Sequence, residues 1–206
     1  MKLKHVILFV LIAATLFAFS CAKKPAETEP ETPDEKTIVI PEGLTFAPVE
    51  QGSLFYLVQG QEYAGEELVI PTQSGDGHMV TEIGSFGFWK LSNLKKVTIP
   101  STIEKINASA FEGCTALTEI DLPSSVERIG TSAFESCISL TTVKIPYSVY
   151  LIASDAFKGC TSLTKITYTG TKEAWNDIFK PQNNGWIEPD KTITIHCTDG
   201  DIVLGK

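Results

Sequence analysis

The sequence predicts an α/β repeat solenoid. Three observations carry that prediction: a 23-residue frame present in four copies, apolar–polar alternation ended by proline, and units too small to enclose their own apolar side chains. Ile83, Ile106, Ile129 and Ile152 occupy one column of the frame, and Phe88, Phe111, Phe134 and Phe157 occupy another. Leu94, Leu117, Leu140 and Leu163 form a third. Val97, Ile120, Val143 and Ile166 follow, then Ile99, Leu122, Ile145 and Tyr168, with Pro100, Pro123 and Pro146 as the turn residue. No insertion interrupts the four copies.

Along the chain, residues 1–20 read as a targeting segment. Lys2 and Lys4 precede the apolar run "VILFVLIAATLFAF", which is shorter than the roughly 20 residues a helix needs to span a bilayer. A small residue before Cys21 at the end of such a run resembles the bacterial lipoprotein signal, in which the peptide is removed and the cysteine is acylated. The alternatives are an ordinary cleaved signal and an uncleaved anchor. Cleavage would remove two lysines and no acid, making the formal charge of −8 more negative still, so nucleic acid is an unfavourable partner. Residues 21–38 contain "AKKPAETEPETPDEKT", rich in Pro and Glu and without an aromatic or large aliphatic side chain, which is the composition of a disordered tether. Ala22 is not the aspartate associated with inner-membrane retention. The expected location is therefore the bacterial outer membrane, surface-exposed, with membrane contact through the lipid anchor only.

The remaining composition, 43% hydrophobic and 20% charged, is that of a chain able to build a core. Residues 39–79 are expected to form an N-terminal capping segment, 80–168 the four repeats, and 169–206 a C-terminal capping segment. Within a repeat, "LTEIDLP" alternates as a strand with one buried face does, and proline ends it. "SAFESC" then suits one short helical turn. Each unit is therefore expected to contain one strand and one turn. In the closing segment Thr171 is placed to cap a helix beginning near Lys172, with Trp175, Ile178 and Phe179 on one face covering the last leucine layer.

The pattern "CTALTEIDLPSSVERIGTSAFESC" resembles the BspA-like, treponemal-type leucine-rich repeat. "GEELVIPTQSGDGHMVTEIGSFGF" resembles its first unit, with an insertion between Pro71 and Val80, and "ITYTGTKEAWNDI" with "TIHCTDGDI" resembles its closing segment. The similarity covers residues 54 to 202, departing at Tyr168 and Thr169, where the strand would carry an aliphatic residue and proline. It implies a right-handed leucine-rich repeat with a parallel β-sheet on the concave face and short helical or 3-10 turns on the other side.

Five cysteines raise the question of redox or metal chemistry. Cys114, Cys137 and Cys160 share one column, and equivalent side chains on stacked strands sit about 4.8 Å apart, beyond the roughly 3.8 Å Cβ separation that a disulfide prefers. No CxxC or HxxxH occurs, so these residues are expected as buried core thiols and no metal is expected. His196 and Cys197 are adjacent, which points them to opposite faces of a strand. The "GDG" at 75–77, beside His78, and "DGD" at 199–201 lack the rest of a calcium loop and are expected as turns. No nucleophile elbow or phosphate loop is present, and neither an enzyme nor a cofactor is expected.

The exposed strand positions remain as a candidate ligand surface: Lys96 and Thr98, Glu119 and Asp121, Thr142 and Lys144, Lys165 and Thr167. They form two columns of mixed charge. Lys96 beside Glu119 and Asp121 beside Lys144 can serve as cross-strand pairs, and the same surface can receive a protein or peptide. The family resemblance implies adhesion to host matrix protein or to other bacteria. Glycan capture for nutrient uptake is possible but wants an aromatic platform, and Trp89, Tyr147 and Tyr150 lie off the columns. A structural module of an envelope assembly is the third alternative.

Overall fold

Apolar–polar alternation with a period of two, recurring once in every copy of the frame, accounts for one stack of parallel strands, and the structure contains a second. The structure, a computed structural model, describes residues 39–51, 55–180, 185–187 and 191–205. In chain order the strands are β1 (Thr45–Pro48), β2 (Phe55–Gln59), β3 (Glu67–Val69), β4 (Met79–Ile83), β5 (Lys96–Thr98), β6 (Lys105–Ile106) and β7 (Glu119–Asp121). They continue as β8 (Arg128–Ile129), β9 (Thr142–Ile145), β10 (Leu151–Ile152), β11 (Lys165–Tyr168), β12 (Ile193–Cys197) and β13 (Gly200–Leu204). One short helix, α1 (Lys172–Asp177), lies between β11 and β12.

The solenoid expected from the frame is present. Strands β7, β9, β11 and β12 form one parallel ladder, with β13 folded back antiparallel on β12, and β3 pairs with β5 in the same repeat position. The second ladder runs β2, β4, β6, β8 and β10, with β1 antiparallel on β2. Each unit therefore carries two strands where one was expected. Strands β6, β8 and β10 are two residues long, too short to show alternation, so "EKI", "ERI" and "YLI" do not announce themselves as strands. The remaining side of each unit consists of single turns closed by bonds three residues apart, such as Cys114 N to Phe111 O at 3.1 Å.

That turn side is also hydrogen-bonded from unit to unit. Phe88 N donates to Ala110 O at 2.7 Å, Phe111 N to Ala133 O at 2.8 Å, Phe134 N to Ala156 O at 2.8 Å, and Phe157 N to Trp186 O at 2.8 Å. The geometry needs two left-handed residues four apart in every unit. Phe86, Ser109, Ser132 and Asp155 take the first position with φ of 55°, 54°, 55° and 58°, and Lys90, Gly113, Ser136 and Gly159 take the second. At Gly159 a Cβ would come within 3.0 Å of Ser136 Oγ, so glycine there also makes room for the preceding unit.

Inside, the repeated phenylalanines stack. Ring centroids of Phe88, Phe111, Phe134 and Phe157 are separated by 5.2, 5.4 and 5.3 Å with interplanar angles of 13°, 7° and 3°. The three in-frame cysteines are free, buried thiols beside this stack, as expected. They also serve a polar purpose: the Sγ of Cys114, Cys137 and Cys160 donates to the carbonyl of Phe88, Phe111 and Phe134 at 3.1, 3.2 and 3.0 Å. Burial pushes the Cys114 thiol up to about 12, and contact with the Cys160 thiol together with burial pushes Cys137 upward as well.

The C-terminal end is closed by aromatic side chains. Thr171 caps α1 by accepting from Ala174 N at 3.2 Å, and Trp175 and Ile178 are buried, as the helix pattern predicts. Phe179 is not: it is 67% exposed, because α1 ends at Asp177 and Ile178 turns extended at φ −59° and ψ 124°. Phe179 instead bridges Leu151 as a further rung of the second ladder. Lys180 finishes the helix by donating to Trp175 O and Ile178 O at 2.6 and 3.0 Å. Trp186 covers the phenylalanine stack, edge-on to Phe157 at 6.3 Å and against Trp175 at 5.9 Å, and Tyr168 packs on Trp175 at 5.2 Å.

This packing makes stability position-specific. Phe134→Ala removes a ring stacked on both faces and should cost roughly 3–5 kcal/mol in urea unfolding, whereas Phe179→Ala should stay within about 0.5 kcal/mol of wild type. Equal losses would contradict the packing described. Because burial holds the Cys114 thiol protonated, its contribution is complete below the ordinary thiol value of 9.0 and is lost as pH rises from there toward about 12. Unfolding free energy should therefore fall in that range by up to about 1.4 kcal/mol per pH unit, relative to a Cys114→Ala variant.

Candidate functional site

The outward positions of the first ladder are set by its register. Glu119, Thr142, Lys165 and Thr194 are cross-strand neighbours in one column, and Asp121, Lys144, Thr167 and His196 are neighbours in the other. Lys96 and Thr98 stand on β5 next to them, paired with Glu67 and Val69 of β3. Alternation fixes this arrangement: between the polar positions lie Val97, Ile120, Val143 and Ile166, whose side chains face the core.

A groove of about 770 Å³ lies over these strands. Seven of the eight residues singled out from the sequence line it, namely Lys96, Thr98, Glu119, Asp121, Thr142, Lys144 and Thr167. Lys165 is exposed on β11 but stands outside the lining. The rim adds Pro123, Ser124, Pro146 and Thr169 from the turns that follow each strand. The core is less completely covered where the ladder is interrupted. Strand β5 pairs with β3 and β7 pairs with β9, and the two are joined by Thr118 N to Lys95 O at 3.4 Å. Val97 and Ile99 retain 7% and 8% exposure there, against 0% for Val143 and Ile145 deeper in the ladder.

Charge along the groove is only partly compensated. Lys144 Nζ donates to Asp121 at 3.0 Å, as the columns predict, and such an exposed pair contributes roughly 0.2–1 kcal/mol. The matching pair between Lys96 and Glu119 is not formed, a correction to the sequence reading that follows from the missing ladder bonds between β5 and β7. The groove thus presents one cation and one anion whose charges no ion pair among the described residues neutralises.

Sequence reasoning missed Thr194 and His196 as members of the columns. Their signal was the alternation in "TITIHC", which resumes the ladder after a stretch that lacks the frame. His196 Nδ1 lies 2.9 Å from Asp201 Oδ1 across the β12–β13 pair, and the turn between the two strands is at residues 198–199, so of the 199–201 segment expected as a turn only Asp199 lies in it and Gly200 and Asp201 open β13. The 75–77 segment is a turn as well, with Ser74 N donating to His78 O at 2.8 Å and the Asp76 carboxylate 3.0 Å from His78 Nδ1. Hydrogen bonds from Ser74 and His78 hold the Asp76 carboxyl down at about 2.

Among the described residues, no group of three or more His, Cys, Asp or Glu side chains is arranged to hold a metal ion. No described helix is long and apolar enough to cross a membrane. Cys21, the signal reading of residues 1–20 and the tether lie outside the described residues.

Comparison with known proteins agrees with this geometry. The BspA type leucine-rich repeat region matches residues 77–184 in six copies. A leucine-rich cell surface protein of Faecalibacterium prausnitzii is similar in structure at 24% identity, with a TM-score of 0.52 over 66% of this chain and 41% of its own. A leucine-rich repeat protein of Eubacterium ventriosum is similar at 27% identity, with a TM-score of 0.53 over 66% of this chain and 33% of its own. The chain therefore spans less than half the length of either. No curated protein matches it. With the repeat frame, the two ladders and a family match over more than half of its length, the chain belongs to the BspA-type leucine-rich repeat family.

Proposed function

We propose that the chain is a non-catalytic cell-surface lipoprotein that binds a protein or peptide ligand in the groove over the first ladder, serving adhesion to host matrix protein or to other bacteria. The observation that carries this reading is the groove itself. Its lining side chains on β7, β9 and β11 are held in register by the ladder, so their spacing is fixed before a ligand arrives and little ordering cost remains to be met there on binding. The lining mixes two lysines, two acids, threonine hydroxyls and prolines, which suits an extended polypeptide. It contains no aromatic side chain of the kind a sugar ring would stack on.

Location at the surface is part of the same proposal. The signal reading of residues 1–20, acylation at Cys21 and the Pro/Glu tether supply an anchor, and the Faecalibacterium prausnitzii neighbour is described as a cell surface protein. The bacterial outer membrane is the compartment this arrangement fits, with the lipid as the only membrane contact and no nucleic-acid partner.

A lipid-free form, residues 22–206, presented to immobilised matrix proteins and separately to envelope extract tests the reading. Retention by a matrix protein is the expected result; retention by the envelope fraction alone would replace adhesion with a structural role in an envelope assembly. Reversing charge with Glu119→Lys and Asp121→Lys should weaken binding by roughly tenfold or more while leaving the circular dichroism spectrum intact. Unchanged affinity in that variant would move the binding face elsewhere.

A further inference from the structure

The second ladder carries a groove of its own. It has a volume of about 390 Å³ and is lined by Val49 and Glu50 of the N-terminal segment, by Glu82, Lys105 and Arg128, and by the residues that follow those strands. Cross-strand register places Glu82, Lys105, Arg128 and Leu151 side by side in one column. Arg128 is the sole arginine of the chain. Its neighbour on one side is a lysine, and like charges directly opposite one another destabilise a strand pair unless something compensates them.

Glu82 does not compensate Arg128. Its side chain is nearly buried and already engaged, with Lys105 Nζ at 2.7 Å on one oxygen and Asn107 Nδ2 at 2.9 Å on the other. That pair neutralises Lys105 and raises its pKa through the hydrogen bond and charge of Glu82. Among the described residues no carboxylate, including those of Glu50, Glu104 and Glu127, reaches ion-pair distance of Arg128. An exposed guanidinium therefore stands over a groove, in a protein of net charge −8, with no ion-pair partner among the described residues.

We propose that this groove is a carboxylate site centred on Arg128 and that it takes an acidic sugar of the hexuronate class. A guanidinium binds a carboxylate through two parallel N–H···O bonds, which fixes orientation as well as charge. The groove also holds the Glu50 carboxylate, with that of Glu82 already paired to Lys105, so a ligand with a single negative charge fits it better than a phosphate dianion or a polyanion. Sugar hydroxyls can donate to the Glu50 carboxylate and exchange bonds with Asn107 and Thr131. The groove has no aromatic platform, so the ring is held chiefly through its carboxylate, with Leu151, Ala108 and Ala153 as an apolar strip for its C–H face. The site lies on a different ladder from the polypeptide groove, so it stands independently of that proposal.

The sole arginine supplies its own reporter, since one Nε–Hε resonance appears in a ¹H–¹⁵N spectrum of the full chain. Titration with D-glucuronate at constant ionic strength should shift that resonance saturably, in the millimolar range, whereas D-glucose should leave it in place. Arg128→Gln should abolish saturable binding detected by ligand-observed saturation transfer, Arg128→Lys should weaken it about tenfold, and both variants should keep the wild-type melting curve. A linear, unsaturated shift with glucuronate would overturn the site. Equal response to glucose would overturn the carboxylate, and equal affinity for acetate or N-acetylglutamate would overturn the sugar in favour of a bare or peptide carboxylate.

Discussion

The register between successive units is the constraint on which the rest of the structure depends. Strand partners are separated by one full frame, as in Lys105 with Arg128 and Thr142 with Lys165, and the turn side is bonded over nearly the same interval, as in Phe111 N to Ala133 O. Apart from the break between β5 and β7, three sides of each unit are thus tied to the next through backbone groups that would otherwise be buried without partners. One residue inserted into a unit would break all three sets of bonds at once. This is why the four central copies carry no insertion, and why the stretches whose sequence departs from the frame, 72–78 and 179–192, fall at the ends of the repeat array.

Side-chain packing then follows from backbone register. Equivalent residues are superposed, so each column must be filled by a side chain that tolerates its own copy above and below. Phenylalanine does so by offset stacking, isoleucine and leucine by interdigitation, and cysteine by filling a narrow slot while its thiol takes a backbone carbonyl of the preceding unit. The columns need an end. Trp186 and Trp175 close the aromatic stack edge-on, and β13 folds antiparallel over β12 so that the first ladder finishes in a hairpin. Function inherits the same regularity: polar side chains between the core columns are displayed at fixed intervals, and they are free to vary because the core does not use them.

Much of this was legible in the sequence, and the parts that were not have physical reasons. The repeat frame, the buried thiols, the cap of α1 and seven of the groove-lining residues follow from periodicity alone. The second ladder was hidden because Lys105–Ile106, Arg128–Ile129 and Leu151–Ile152 are two-residue strands, and a period of two cannot be seen in two residues. Phe179 was misplaced because i, i+3, i+4 spacing describes a helix face only while the helix continues, and α1 stops at Asp177. Trp186 was overlooked because residues outside the frame separate it from the aromatic column it completes. The unformed pair of Lys96 with Glu119 depends on whether β5 and β7 bond to each other, which pairwise charge reading cannot supply.

If inter-unit register is what holds the molecule together, then the length of a deletion matters more than its location. Removing residues 118–140 takes out one full repeat and joins Leu117 to Thr141 in frame, whereas removing 118–139 deletes one residue fewer and puts every later column out of register. Urea unfolding of both, followed by circular dichroism, tests this most directly. The in-frame deletion should unfold in a single cooperative transition with a smaller slope, in keeping with less buried surface, and the out-of-frame deletion should show no such transition. Similar cooperative unfolding of the two would contradict the account.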